Sequence, residues 1–104
     1  MEQKNIYGFE MIQKKDIAKI LRNGRVWIID LRTPEKYREA HYPAARNFPF
    51  AYIDTWKNEI PENISLILYC EHGNQSLLAA RKLSSRKGKV YTVTGGYEGI
   101  KAGQ

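Results

Sequence analysis

Residues 64–69 form an apolar run, broken only by Ser65, that leads directly into Cys70, the sole cysteine of the chain. Polar and glycine residues follow, Glu71-His72-Gly73-Asn74-Gln75, and Ser76 opens a segment with helical spacing. The pattern predicts a strand, a tight loop and a helix N-terminus, with one thiol at the bend. A helix N-terminus carries unpaired backbone N–H groups and partial positive charge. A loop of successive N–H groups adds a concave anion site. A thiol at such a bend faces groups that favour its anionic form.

The flanking segments predict what surrounds that bend. Residues 7–12 alternate in part and read as an edge strand. Residues 14–23 follow as an amphipathic helix, with Ile17, Ile20 and Leu21 as its apolar stripe and Gly24 as its C′ glycine. Residues 26–29, Val-Trp-Ile-Ile, do not alternate, as expected of a strand covered on both faces. That strand ends at Asp30. Thr33 then caps a short helix from Pro34 to about residue 40. Residues 45–48 read as a short strand, and residues 51–58 as a short helix with Ile53 and Trp56 inward. Residues 76–87 read as a helix with Ser76, Ala79, Ala80 and Leu83 on its inner face, terminated by Gly88. Residues 90–93 are a last strand, Gly95-Gly96 a turn and residues 97–102 a final helix.

Strands and helices therefore alternate, which predicts an α/β fold with a mostly parallel sheet of about five strands and helices on both faces. With 104 residues and no repeat, linker or low-complexity tract, the whole chain, 1–104, is expected to be one domain. Ligands of such sheets bind beyond the carboxyl ends of the strands. Asp30 and Cys70 each follow a buried strand, so both fall on that edge.

Composition narrows the function classes. Hydrophobic residues at 42% and charged residues at 27% exclude a disordered chain. No stretch reaches the ~20 apolar residues of a membrane span, so no membrane role is expected. The first residues carry no apolar run like a signal peptide's, and one cysteine gives no intrachain disulfide; the expected compartment is the cytoplasm. The formal net charge of +6 comes from 17 Lys/Arg against 11 Asp/Glu, spread along the polar sides of helices. It reads as ordinary solvated surface, with help for a small anion's approach as the alternative. Aromatic interleaving is absent, so nucleic acid is not an expected partner. His41, His72 and Cys70 do not make a zinc set at any standard spacing, and no metal or cofactor is expected.

Four blocks carry a resemblance. Asp30-Leu31-Arg32-Thr33-Pro34-Glu35-Lys36-Tyr37 is similar to D-x-R-[TS]-x-x-E-[FY], and residues 41–49, His-Tyr-Pro-Ala-Ala-Arg-Asn-Phe-Pro, to G-H-I-P-G-A-x-N-x-P. Residues 69–76 resemble the active-site loop Y-C-x-x-G-x-R-S, and Val93-Thr94-Gly95-Gly96-Tyr97 resembles V-x-G-G-[WY]. In this order and spacing, over residues 9–103, they resemble the rhodanese (sulfurtransferase) family in its small single-domain form. Three departures stand out. Gln75 occupies the position of the loop's usual Arg, Ala40 and Ala44 replace glycines, and Ile100 stands where a second aromatic is common. The alanines are mild changes if their φ is negative. Gln75 offers a neutral amide where Arg would offer a fixed charge with several donors.

The resemblance implies a sulfurtransferase that moves sulfane sulfur from a small anionic donor such as thiosulfate to cyanide or a thiol, through a persulfide on Cys70. Backbone N–H groups of residues Glu71, His72, Gly73, Asn74, Gln75 and Ser76 would hold the sulfur's charge. Glu71 opposes them, by an amount that depends on whether it points inward or to solvent. His72 is either a proton shuttle or a solvent-facing loop residue. Gly73 and Asn74 are expected to shape the loop, since both tolerate positive φ. Asp30 and Arg32 are expected to pair behind the loop, and His41 to fix the segment before Pro43. Six residues from Cys70 to Gln75 match the sulfurtransferase loop, whereas related phosphatases use a longer loop closed by Arg; Ser76 stands where C-x5-R requires that Arg. The alternative is a catalytically weak rhodanese-like module that binds an acceptor protein or carries persulfide sulfur for it.

Overall fold

The computed structural model describes residues 8–102. Five strands form one parallel sheet: β1 (Glu10–Ile12), β2 (Val26–Asp30), β3 (Arg46–Asn47), β4 (Ser65–Tyr69) and β5 (Val90–Val93). The spatial order is β1-β5-β4-β2-β3. The edge strand β1 begins at Glu10; Tyr7, placed in it by the sequence pattern, lies outside the described residues. Five helices connect and cover the strands: α1 (Lys14–Leu21), α2 (Pro34–Glu39), α3 (Ile53–Trp56), α4 (Asn74–Leu83) and α5 (Gly96–Ala102). A 3-10 turn at Phe50–Tyr52 leads into α3.

The non-alternating strands are covered on both faces because their side chains feed two separate cores. Ile29, Leu66, Leu68 and Cys70 pack with Ile53, Trp56, Ala79, Ala80 and Leu83, which belong to α3 and α4. Ile28, Ile67 and Tyr69 pack with Ile17 of α1 and Ile100 of α5 on the other face, where Tyr37 of α2 joins them. Along β4 the residues therefore alternate between the cores, Leu66 and Leu68 to one side and Ile67 and Tyr69 to the other. Small residues on α4 serve this arrangement: Ser76, Ala79 and Ala80 are fully buried and let the helix lie close to the sheet.

Helix ends depart from the sequence pattern in three places. Helix α1 stops at Leu21 with Arg22 as its C-cap, so Gly24 lies one residue beyond the C′ position and has φ 150°. Helix α4 begins at Asn74, two residues before Ser76, and closes at Leu83, with Ser84 as its C-cap. Gly88 does not terminate it; a Cβ there would lie 2.1 Å from the Ile64 carbonyl oxygen, so glycine is required by the close approach of two backbone segments. The Thr33 cap and Pro34 at the start of α2 are as the sequence predicts, with Thr33 Oγ1 accepting from the Lys36 N–H at 3.4 Å. No described helix is long and apolar enough to cross a membrane.

The topology creates one switch point. From β2 the chain crosses through α2 to β3 at the sheet edge. From β4 it crosses through α4 to β5 on the opposite side. The two crossovers depart in opposite directions and to opposite faces, which opens a crevice above the carboxyl ends of β2 and β4. In the register Asp30 pairs with Tyr69, so Asp30 and Cys70 both border that crevice.

Candidate active site

Cys70 leaves β4 buried, at 1% exposure, and the chain turns over its sulfur. Gly73 sits at φ 107° as the N-cap of α4, a conformation that only glycine adopts without strain. This turn aims two backbone donors at the thiol. The Gly73 N–H donates to Cys70 Sγ at 3.1 Å and the Ser76 N–H at 3.3 Å. Both belong to the N-terminal end of a ten-residue helix, whose dipole adds to the field at the sulfur.

Ser76 is locked in place by its side chain. Its hydroxyl donates to the Gly73 carbonyl at 3.2 Å and accepts from Thr92 Oγ1 at 2.7 Å, which ties the loop to β5. Asn74 lies inside the first turn of α4 and has no positive φ, contrary to the expectation for it; the left-handed residue of the loop is Gly73 alone. Asn74, Gln75 and His72 are exposed. Gln75 places its neutral amide on the outer side of the first helical turn.

Behind the loop lies a buried ionic knot. Asp30 is fully buried, and its two oxygens accept five hydrogen bonds. The Arg32 backbone N–H (2.9 Å) and Nε (3.1 Å) reach Oδ1, while Arg32 Nε (3.2 Å), Arg32 Nη2 (2.8 Å) and Tyr69 Oη (2.7 Å) reach Oδ2. Arg32 Nη2 also donates to the Ala40 carbonyl at 2.6 Å, and the guanidinium lies 4.1 Å from the centroid of the Tyr97 ring. Burial pulls the Arg32 guanidinium down, but hydrogen bonding and charge from Asp30 outweigh it and hold it above its ordinary range. Burial first, and then the Asp30 carboxylate, push the Tyr69 phenol far above its ordinary value, so it stays a donor. A buried charge pair is tolerated only when its remaining lone pairs are satisfied, and here they are.

The knot reaches the loop through three contacts. Arg32 Nη1 pairs with Glu71 Oε1 at 3.4 Å, the Tyr97 N–H donates to the Cys70 carbonyl at 2.7 Å and the Glu98 N–H to the Glu71 carbonyl at 3.0 Å. Glu71 thus points neither at the thiol nor freely to solvent: it turns back onto Arg32, which offsets part of its charge. Hydrogen bonding with the Glu71 side chain, followed by the Lys101 charge, holds the exposed Glu98 carboxyl below its usual range. Gly96 makes the approach of α5 possible; at φ 61°, a Cβ there would lie 2.5 Å from the Cys70 carbonyl oxygen.

The structure brings Cys70, the 71–76 loop, Asp30 and Arg32 together. His41 serves a different segment. It stacks on Tyr37 with ring centroids 3.8 Å apart, and its Nδ1 is 2.8 Å from the Tyr37 carbonyl. Tyr37 Oη in turn donates to the Ala45 carbonyl at 2.6 Å, so the pair braces the 41–45 bend. Ala44 in that bend has φ 70°. It is the one non-glycine residue with positive φ among the described residues, so this glycine-to-alanine departure is not a mild one. Ala40, at φ −173°, is ordinary extended backbone. Tyr69, Thr92, Tyr97 and Gly96 are site residues that sequence reasoning did not single out for these contacts, although the Gly-Gly-Tyr block marked the place of the last two.

Comparison with known proteins identifies the family and the fold. The family model described as Rhodanese-like domain matches residues 13–103. A protein named thiosulfate sulfurtransferase GlpE, from Tolumonas auensis, is 29% identical over 92 residues, which cover 88% of this chain and 87% of that protein. The crystal structure of reduced Bacillus anthracis CoADR-RHD superposes with a TM-score of 0.78 at 26% identity, over 89% of this chain and 16% of the larger one. A rhodanese-related protein from Thermoplasma volcanium superposes with a TM-score of 0.82 over 91% of this chain and 93% of its own, at 19% identity, a likeness of fold alone.

Proposed function

The chain belongs to the rhodanese-like domain family, and from that premise we propose that it is a sulfurtransferase working through a persulfide on Cys70. The observation that carries the proposal is the pair of N–H groups, Gly73 and Ser76, aimed at Cys70 Sγ beyond the carboxyl end of β4.

In the first half-reaction the Cys70 thiolate attacks the outer sulfur of a donor such as thiosulfate. A new S–S bond forms to Sγ, the bond to the sulfonate sulfur breaks, and sulfite leaves with its electron pair. In the second, a nucleophilic acceptor attacks the outer sulfur of the persulfide. Cyanide leaves as thiocyanate, or a thiolate becomes a persulfide, and the electron pair returns to Sγ. Splitting one transfer into two displacements gives ping-pong kinetics. The loop amides are fixed before reaction and need no reorganisation as charge moves between the two sulfurs. Neither step consumes a metal or an organic cofactor.

Asp30 and Arg32 act through the loop rather than on the donor. Their buried knot fixes the Arg32 guanidinium, which draws the Glu71 carboxylate aside, while Tyr97 fixes the Cys70 carbonyl. His41 is assigned to the 41–45 bend.

The test compares wild type with Cys70→Ser in thiosulfate-to-cyanide transfer, with intact-mass measurement of the donor-treated protein. One added sulfur on wild type and none on the variant is expected, together with thiocyanate formation by wild type only. Thiocyanate formation that survives the substitution would sink the Cys70 mechanism. Neither activity nor added sulfur with several donors would favour the carrier or binding module.

A further inference from the structure

Opposite the thiol edge, where β2, β4 and β5 begin, lies an open cavity of about 560 Å³. Its wall carries three basic residues, Arg25, Lys87 and Lys89, with the amides of Asn23 and Asn63 and the half-buried ring of Tyr91. Among the described residues no acidic side chain lines it. Glu62 precedes the lining residue Asn63, and its Oε1 accepts from the Lys87 backbone N–H at 3.3 Å, but it lines a separate groove beside Lys57 and Lys82. Arg25 and Lys87 are exposed, and neither side chain makes an ion pair among the described residues.

The rim is held rigidly. The Ser65 N–H donates to the Arg25 carbonyl at 3.0 Å, the Lys89 N–H to Ser65 Oγ at 3.2 Å and the Gly88 N–H to the Glu62 carbonyl at 2.9 Å. Arg86 Nη2 donates to the carbonyls of Ile64 (3.0 Å) and Pro61, which pins the turn bearing Asn63. The cations therefore project from backbone that is already ordered, so a ligand does not have to order the rim.

We propose that this cavity binds a phosphorylated small molecule of about mononucleotide size. Its volume falls in the range of small-molecule sites, roughly 300–1,000 Å³. Exposed Arg25 and Lys87 on a wall with no carboxylate among the described residues favour an anion, and guanidinium and ammonium donors with two amides match phosphate oxygens. Ile20, Val26 and the Tyr91 ring supply an apolar wall for the rest of the molecule. Five-residue strands at about 3.3 Å per residue separate this edge from the thiol loop, so the site is independent of sulfur transfer.

Titrating adenosine 5′-monophosphate into the ¹⁵N-labelled protein tests it, with inorganic phosphate and an oligouridylate as parallel probes. The nucleotide is expected to saturate and to move the amides of Gly24, Ser65 and Gly88 while Gly73 and Gly95 stay in place. The pair of substitutions Arg25→Ala and Lys87→Ala is expected to weaken it about tenfold or more and to leave sulfur transfer unchanged. Four outcomes would overturn the proposal: no saturable shift at millimolar nucleotide, shifts centred on the Cys70 loop, equal affinity for inorganic phosphate, or an oligouridylate that binds the same amides tenfold more tightly. The wild-type map alone decides among them if the double variant fails to fold.

Discussion

Tyr69 Oη donates to Asp30 Oδ2 at 2.7 Å across neighbouring parallel strands, at the point where the register pairs the same two residues. The same hydroxyl accepts from the Tyr42 N–H at 3.0 Å, so one phenol links β4 to the end of β2 and to the 41–45 bend. Deprotonation would end the bond donated to Asp30 and leave a phenolate beside a buried carboxylate, and only the Tyr42 N–H favours that anion from the backbone side.

Tyr69 holds its proton more tightly in the folded chain than in the unfolded one. Its stabilising contribution is therefore complete below about pH 10, the range of an unfolded phenol, and is lost as pH rises from there toward the folded value. In an alkaline absorbance titration, the Tyr69 phenol is expected to ionise only as the fold is lost. Tyr69→Phe should remove that late step and cost roughly 1–3 kcal/mol in urea unfolding, because it leaves the Tyr42 N–H without its acceptor. An absorbance curve that Tyr69→Phe leaves unchanged above the unfolding pH, but diminishes below it, would contradict the burial of this hydroxyl.

Gly96 controls how closely α5 approaches the thiol loop. A methyl group there would meet the carbonyl oxygens of Cys70 and Glu71 at 2.5 and 2.7 Å, and φ is 61°. All the nearest atoms are backbone, so no side chain can yield to make room. Gly96→Ala is expected to cost roughly 2–4 kcal/mol and to lower sulfur transfer by displacing the amides from Sγ. Gly24→Ala serves as the contrast, since its Cβ would meet nothing within 4 Å although its φ of 150° is also strained. It should destabilise less and spare turnover per folded molecule.

These two sites show what was legible in the chain and what was not. The buried strands were legible because the apolar runs at residues 26–29 and 64–69, the second broken only by Ser65, match strands covered on both faces, and glycine and proline punctuate them. The inner face of α4 was legible from the spacing of Ser76, Ala79, Ala80 and Leu83. Its ends were not, because Gly88 reads locally as a helix stop but is there for the passage of Ile64, 24 residues earlier. The Asp30–Arg32 pair was legible from proximity, whereas Tyr69 joined it only through strand register, across 39 residues. Glu71 was open between two directions and took a third, toward Arg32, which no local pattern specifies.

Ala44 is held at φ 70° by the bend that Tyr37 and His41 brace. An L-residue in the left-handed region costs roughly 1–2 kcal/mol, and glycine gives back roughly 0.5–1 kcal/mol through its greater unfolded-state freedom. Ala44→Gly is therefore expected to stabilise the fold by about 0.5–1 kcal/mol, a rise of a few degrees in Tm for a domain of this size. Calorimetry that finds the variant less stable would mean that the backbone strain is relieved by some other contact.

Gln75 stands exposed in the first turn of α4, on the same loop whose amides face Cys70 Sγ. An arginine fits there without displacing packed atoms and would add a fixed positive charge beside the path of a dianionic donor. Glu71 supplies the one carboxylate within the loop, and Arg32 is already engaged by it and by Asp30. Gln75→Arg is thus expected to lower the KM for thiosulfate by about 2–10-fold, with kcat changed less, because the charge acts on donor binding before and during transfer alike. The gain should shrink as ionic strength rises, since the new charge is exposed and screened. An unchanged or higher KM at low salt would show that anion capture is complete with the backbone amides alone, and that Gln75 does not limit it.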